Sequence, residues 1–141
     1  MNENIIIREY KASDKNELIA IMKLNVPKYF AENEIEDLKD YLENKIEKYF
    51  VVEIENKLVG SGGINFVSEN MTAMISWDFI LPNYQGKGIG QKLLKHRIEF
   101  IKLMKDVKNI QVRTSQFAYT FYEKNGFVLK EKKKRLLGKR F

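Results

Sequence analysis

Ile80-Leu81-Pro82-Asn83-Tyr84-Gln85-Gly86-Lys87-Gly88-Ile89-Gly90 is the stretch from which the rest of the chain can be read. An apolar strand end stops at Pro82, three glycines follow at alternate positions, and Leu94, Ile98 and Ile101 then recur at helical spacing. A glycine-lined turn between a strand and a helix lets backbone N–H groups approach an anion closely, and the helix N-terminus adds partial positive charge. Two familiar phosphate-binding turns fail here. A P-loop needs Ser or Thr after its Gly-Lys, and Lys87 is followed by Gly88. The dinucleotide fingerprint needs G-x-G-x-x-G inside a βαβ unit, and this is G-x-G-x-G after a meander of strands.

Upstream, Ile5 to Tyr10 reads as a first strand. Ser13-Asp14 with Glu17 reads as a capped helix start leading into Leu18, Ile21, Met22 and Val26, with Pro27 as its end. Ile35, Leu38, Leu42, Ile46 and Tyr49 predict a second helix from about Glu32. The period then changes. Phe50–Ile54 and Leu58–Gly60 form a hairpin around Glu55-Asn56-Lys57, and Gly60, Gly62 and Gly63 in the returning strand point to a bulge or a close backbone approach. Met71 to Leu81 is a further strand. Downstream lie a short strand at 110–113, a short helix over 117–124 that Asn125-Gly126 ends, and a strand beginning at Phe127. With no repeat or linker, the order β-α-α-β-β-β-α-β-α-β makes residues 1–141 one α+β domain, its sheet mixed but mostly antiparallel and covered by helices on both faces.

Composition narrows the function. The 141 residues contain no Cys and one His, which excludes disulfides, a cysteine nucleophile and thiolate zinc, and leaves no metal site expected. No apolar run reaches the roughly 20 residues of a membrane helix. The start Met1-Asn2-Glu3-Asn4 lacks a signal-peptide pattern, so a cytoplasmic domain with no membrane partner is expected. The net charge of +6 is strongly segregated: residues 31–55 carry −6, residues 56–129 carry +5, residues 130–141 carry +6, and everything before 130 sums to zero. The basic excess is therefore a tail feature.

Two segments together carry a family resemblance. Ile80 to Gly90 contains Q-x-x-G-x-G and resembles the core motif of the GNAT superfamily of acetyl-CoA-dependent N-acetyltransferases. Ala118-Tyr119-Thr120-Phe121-Tyr122-Glu123-Lys124-Asn125-Gly126-Phe127 resembles that family's second signature, in the right order and spacing. The resemblance covers nearly the whole chain and implies a GNAT-like fold with acetyl-CoA as co-substrate and a small-molecule or peptide amine as acceptor.

It also implies site residues. The pantetheine arm would lie on the splayed strand end at Asp78-Phe79-Ile80, and the pyrophosphate on Gln85, Gly86, Lys87, Gly88, Ile89, Gly90 and Gln91. A Cβ at Gly88 or Gly90 would push phosphate away or strike the strand beneath. Ser115 stands where the family often has an Asn near the pantetheine. Tyr122 falls at the tyrosine acting as general acid toward the coenzyme sulfur, and the bland alternative is a tyrosine packed beside Phe121. Asp78 is a candidate base or binder of the acceptor ammonium, against a carboxylate satisfied at a strand edge. His96 is expected at the surface. The acidic second helix suits a cationic acceptor or is a solvated face, and Asn25 to Phe30 could wall the cleft. The alternatives are an acyl-CoA-binding regulator, or a nucleic-acid or partner-binding module using Lys132, Lys133, Lys134, Arg135, Lys139 and Arg140. Only Leu136 to Phe141 follow the basic run, so the last strand is expected to be short or incomplete, with a swapped homodimer as the sharper reading.

Overall fold

A computed structural model describes residues 4–67, 71–113, 118–131 and 136–140. Strand β1 (Ile5–Glu9) leads into α1 (Lys15–Leu24), and α2 (Glu34–Asp40) runs on through a π-helical turn at Tyr41–Lys45. Strands β2 (Lys48–Ile54), β3 (Lys57–Val67) and β4 (Thr72–Ile80) form a meander. Then come α3 (Ile89–Lys102), β5 (Asn109–Arg113), α4 (Tyr119–Lys124), β6 (Val128–Glu131) and β7 (Leu136–Arg140). The seven strands make one sheet in the order β1-β2-β3-β4-β5-β7-β6. Among the described residues only the β4–β5 pair is parallel, as its crossover through α3 requires.

Alternation along β2 assigns the two faces. Phe50 sets its ring edge-on against His96 and Phe100 of α3, while its neighbour Tyr49 meets Tyr41 at the end of the α2 segment. Thus α3 covers one face and α2 the other. Leu18 and Met22 of α1, Leu93, Leu94 and Ile101 of α3, and Val51, Ile64, Ile110 and Leu137 of the sheet are all essentially inaccessible to solvent. The β2–β3 hairpin turns through Glu55 and Asn56, both at positive φ (51° and 65°), which brings Ile54 opposite Lys57.

Three expectations need correction. Tyr49, read as the end of a helical stripe, belongs to β2: the wider π turn shifts the phase and the chain is extended from Lys48. Asp14 does not cap α1 with its side chain; its carboxylate accepts from the Lys11 amide at 2.8 Å and from both terminal nitrogens of Arg8 at 2.9 Å. Glu17 reaches across to accept from the Leu58 amide at 3.0 Å. Finally, the strand after the basic run is short, at five residues, but not incomplete: it lies inside the sheet, pairing with β5 from Asn109↔Arg140 to Arg113↔Leu136 and with β6 on its other side.

Candidate active site

The split between β4 and β5 is built by a bulge. Their pairing runs from Thr72↔Asn109 to Ile75↔Val112 and goes no further, although β4 continues to Ile80. On its other side, the register with β3 slips between Ser61 and Gly63, so Gly62 lies opposite the Trp77-Asp78 segment. Trp77 takes φ +53°, costly for a residue with a Cβ. Its carbonyl accepts from the Tyr49 hydroxyl at 2.8 Å, and that hydroxyl is 2.9 Å from Ser61 Oγ. Tyr49 can lie across β3 because Gly63 has no side chain there: a Cβ would come within 2.4 Å of the Tyr49 ring. A cleft of about 1310 Å³ occupies the split, reaching from the glycine-rich turn to Phe30, Glu34 and Trp77.

At one end, Gly86 (φ +77°) and Gly88 (φ +83°) make the turn, with Gly88 capping α3. The first i→i−4 bond there runs from the Lys92 amide to the Gly88 carbonyl at 3.1 Å. The amides of Ile89, Gly90 and Gln91 precede it and lack helical acceptors, which is a ready cradle for an anion. A Cβ at Gly86 or Gly88 would meet nothing within 4 Å, and one at Gly90 would make ordinary contact with the Phe121 ring at 3.7 Å. The expected collision with the strand below is therefore absent: backbone conformation, not space, demands glycine at 86 and 88. Lys87 reaches over the Tyr84 ring, 5.5 Å from its centre.

The Gln85 side chain turns inward, donating to Asn25 Oδ1 at 3.1 Å and to the Ile80 carbonyl at 3.2 Å. It ties the turn to the end of α1 and to the tip of β4. Ile89 and Phe79 are buried, so each can offer a ligand its backbone only. Ser115 lies outside the described residues, as do Lys132, Lys133, Lys134 and Arg135 of the tail. Lys139 donates to the Asn125 carbonyl at 3.2 Å.

At the centre of the cleft, Tyr122 O–H donates to Asp78 Oδ2 at 3.0 Å. The Tyr122 ring is buried between Phe121 and Phe127, both edge-on. Burial pushes the phenol well above its ordinary value, and the Asp78 charge pushes it further the same way. Asp78 is itself held by Arg97 of α3, which donates from Nη1 to Oδ1 at 2.6 Å and from Nη2 to Oδ2 at 2.5 Å. Burial alone would lower the Arg97 pKa, but Asp78 outweighs it and holds the guanidinium above its ordinary range. Each Asp78 oxygen thus already accepts from the guanidinium, and Oδ2 accepts from Tyr122 as well. Asp78 is thus both the carboxylate of an ion pair and the acceptor of the Tyr122 hydrogen bond.

Arg97 is the residue that sequence reasoning missed. It is completely buried, yet sits among the lysines of an amphipathic helix. One signal was available: Leu93, Arg97 and Ile101 are four apart, which places Arg97 on the apolar stripe. His96, expected at the surface, is partly covered by Phe50.

At the other end of the cleft, Phe30 stacks on Trp77 with ring centres 6.3 Å apart and meets Phe79 edge-on. Behind them, Asn65 Oδ1 accepts from Tyr41 O–H and Ser76 O–H, both at 2.9 Å. The loop from Asn25 does supply a wall, and of the acidic second helix Glu34 lines the cleft. Glu34 Oε1 accepts from the Ala31 amide at 2.8 Å. Among the described residues, no cluster of three His, Asp or Glu side chains stands together to hold a metal, and no helix is long and apolar enough to cross a membrane.

The family model described as the acetyltransferase (GNAT) domain matches residues 45–129, and the chain belongs to that family. No curated protein sequence gives a significant match. Solved structures share the fold. A GNAT family acetyltransferase from Brucella melitensis, in complex with acetyl-CoA, superposes with a TM-score of 0.79 at 17% identity, covering 99% of this chain and 90% of that one. The PaiA N-acetyltransferase from Thermoplasma acidophilum, in complex with coenzyme A, gives 0.77 at 19% identity over 98% and 99%. N-acetylglutamate synthase from Neisseria gonorrhoeae, complexed with coenzyme A and N-acetyl-glutamate, gives 0.79 at 18% identity; this chain spans 36% of that longer one.

Proposed function

We propose that the protein is an N-acetyltransferase that moves the acetyl group of acetyl-CoA to a primary amine by direct attack. The observation that carries this reading is one of placement. The unsatisfied amides at the start of α3, the split end of β4 and the Tyr122 hydroxyl all border one cleft. The cradle suits the coenzyme: its glycines leave the anion's approach clear, and the strand split offers extended backbone to a pantetheine arm.

When bound, acetyl-CoA supplies an activated thioester carbonyl. The amides of Gly86, Gly88, Ile89, Gly90 and Gln91 hold the pyrophosphate, with the Lys87 ammonium adding charge. Backbone groups of Phe79 and Ile80 hold the arm. Glu34 draws the cationic acceptor to the mouth, where Phe30 and Trp77 pack its carbon body. The acceptor ammonium first gives one proton to solvent water; an N–C bond then forms as the C–S bond breaks, a second proton leaves nitrogen for water, and one reaches sulfur. Tyr122, kept protonated by its burial, is the donor to the departing sulfur.

The test is release of free coenzyme A from acetyl-CoA across an amine panel running from aromatic monoamines through amino acids and peptides to polyamines. Amine-dependent release supports the reading. A thermal shift with acetyl-CoA but no turnover on any amine would favour a coenzyme-binding regulator instead.

A further inference from the structure

Arg97, Asp78, Gly62 and Tyr122 come from four different elements and meet at one point beside the cleft. We infer that Arg97 and Asp78 are positioning residues for Tyr122, an ion pair with a fully buried guanidinium whose task is to aim and hold the phenolic hydroxyl at the split between β4 and β5. This rests on the reading of Tyr122 as proton donor.

A buried ion pair is a poor means of adding stability, since apolar side chains of the same volume would generally pack there as well or better. Here the fold makes unusual provision for one. Arg97 has no exposed surface. Beyond its two-point grip on Asp78, its Nη1 donates to the Gly63 carbonyl at 3.0 Å and its Nε to the Leu93 carbonyl at 3.4 Å. That pins the guanidinium plane. Gly62 keeps the space open, because a Cβ would fall 2.6 Å from Asp78 Oδ1 and 2.8 Å from Arg97 Nη1. A carboxylate fixed in this way presents Oδ2 to Tyr122, which donates to it at 3.0 Å.

The consequence is both geometric and electrostatic. Tyr122 sits on a helix of six residues, whose own hydrogen bonds fix little. The bond to Asp78 anchors the ring's far end to β4, the strand whose tip borders the coenzyme cradle. Tyr122 faces Asp78 from β4, Arg97 from α3, Phe121 of its own helix and Phe127 ahead of β6; Glu123 and Lys124 of α4 are exposed. The carboxylate opposes loss of the phenolic proton and the guanidinium favours it. Removing the carboxylate alone should therefore make the phenol more acidic, and removing both charges should largely restore it.

The experiment measures kcat and KM against pH with acetyl-CoA and the best amine of the panel. It compares the wild type with Tyr122→Phe, Asp78→Asn, the double variant Tyr122→Phe/Asp78→Asn and the charge-balanced Asp78→Asn/Arg97→Gln. Asp78→Asn is expected to lower kcat about 10-fold with acetyl-CoA KM within about 2-fold, and to move the alkaline limb of kcat down by about one pH unit. In the Tyr122→Phe background, Asp78→Asn is expected to change kcat by no more than about 2-fold, because it acts through the missing hydroxyl. Asp78→Asn/Arg97→Gln is expected to return the alkaline limb toward the wild-type position. Multiplying effects in the double variant, or an unmoved alkaline limb in Asp78→Asn, would overturn the inference. If Asp78→Asn does not fold, adding Asp78→Asn/Arg97→Gln to Tyr122→Phe carries the same comparison with no lone buried charge: a kcat within about 2-fold of Tyr122→Phe alone supports the inference and multiplying losses overturn it. An inactive wild type defeats the acetyltransferase reading; an active wild type with additive variants defeats this inference alone.

Discussion

Tyr49 donates a hydrogen bond of 2.8 Å to the carbonyl oxygen of Trp77, and so from β2 holds a bulge that lies two strands away in β4. The hydroxyl is fully buried and burial pushes its pKa well up, so at neutral pH it stays a donor. Because a peptide unit is planar and trans, fixing the Trp77 carbonyl also fixes the opposed Asp78 N–H. Tyr49→Phe leaves that carbonyl without its partner. The expected cost is about 1–3 kcal/mol in denaturant unfolding, together with weaker acetyl-CoA binding as the split relaxes.

The glycine-rich turn should respond unequally to alanine. Gly88 sits at φ +83°, where a Cβ costs roughly 1–2 kcal/mol in conformation alone. Gly88→Ala is expected to lower stability by that amount and to weaken acetyl-CoA, as followed by calorimetric titration. Gly90 is already helical and a Cβ there would meet only the Phe121 ring at 3.7 Å. Gly90→Ala should leave the melting temperature unchanged or raise it, gaining up to about 1 kcal/mol of helix propensity.

Acid stability should depend on Asp14. Its hydrogen bonds from Arg8, aided by the Lys11 amide, hold its carboxyl below the ordinary value of 3.8 against the opposing effect of burial. A depressed folded value means stability that is present above pH 3.8 and is lost as pH falls through the lower folded value. Asp14→Asn is expected to destabilise by about 1–3 kcal/mol at neutral pH, and the gap from wild type should close as pH falls below 3.8 through the lower folded value. Urea melts across that range check it. A gap independent of pH would show that the charge plays no part.

Much of this architecture was legible because it is written in short-range patterns. The glycines at 86, 88 and 90 announce a turn that only a few backbone conformations allow, and the period change near Phe50 separates helix from strand. What escaped was set by distant partners. Asp14 looked like a cap until Arg8, across a turn, took its carboxylate. Tyr49 continued a helical stripe until the π turn at Tyr41–Lys45 shifted the phase. The pairing of β7 (Leu136–Arg140) with β5 (Asn109–Arg113) joins segments far apart in the chain, which no local period records. Arg97 was hidden in a composition rich in Lys and Arg; its position on the apolar stripe acquires meaning only once Asp78 is seen opposite it.

The central claim is that this cleft transfers an acetyl group with Tyr122 as proton donor. Its most direct test is coenzyme A release by wild type and Tyr122→Phe side by side, with acetyl-CoA affinity measured on both. The account expects amine-dependent release by the wild type, a kcat lower by roughly 100-fold in Tyr122→Phe, and acetyl-CoA affinities within about 2-fold of each other. Equal kcat in the two proteins, or no binding of acetyl-CoA by the wild type at roughly millimolar concentration, would contradict it.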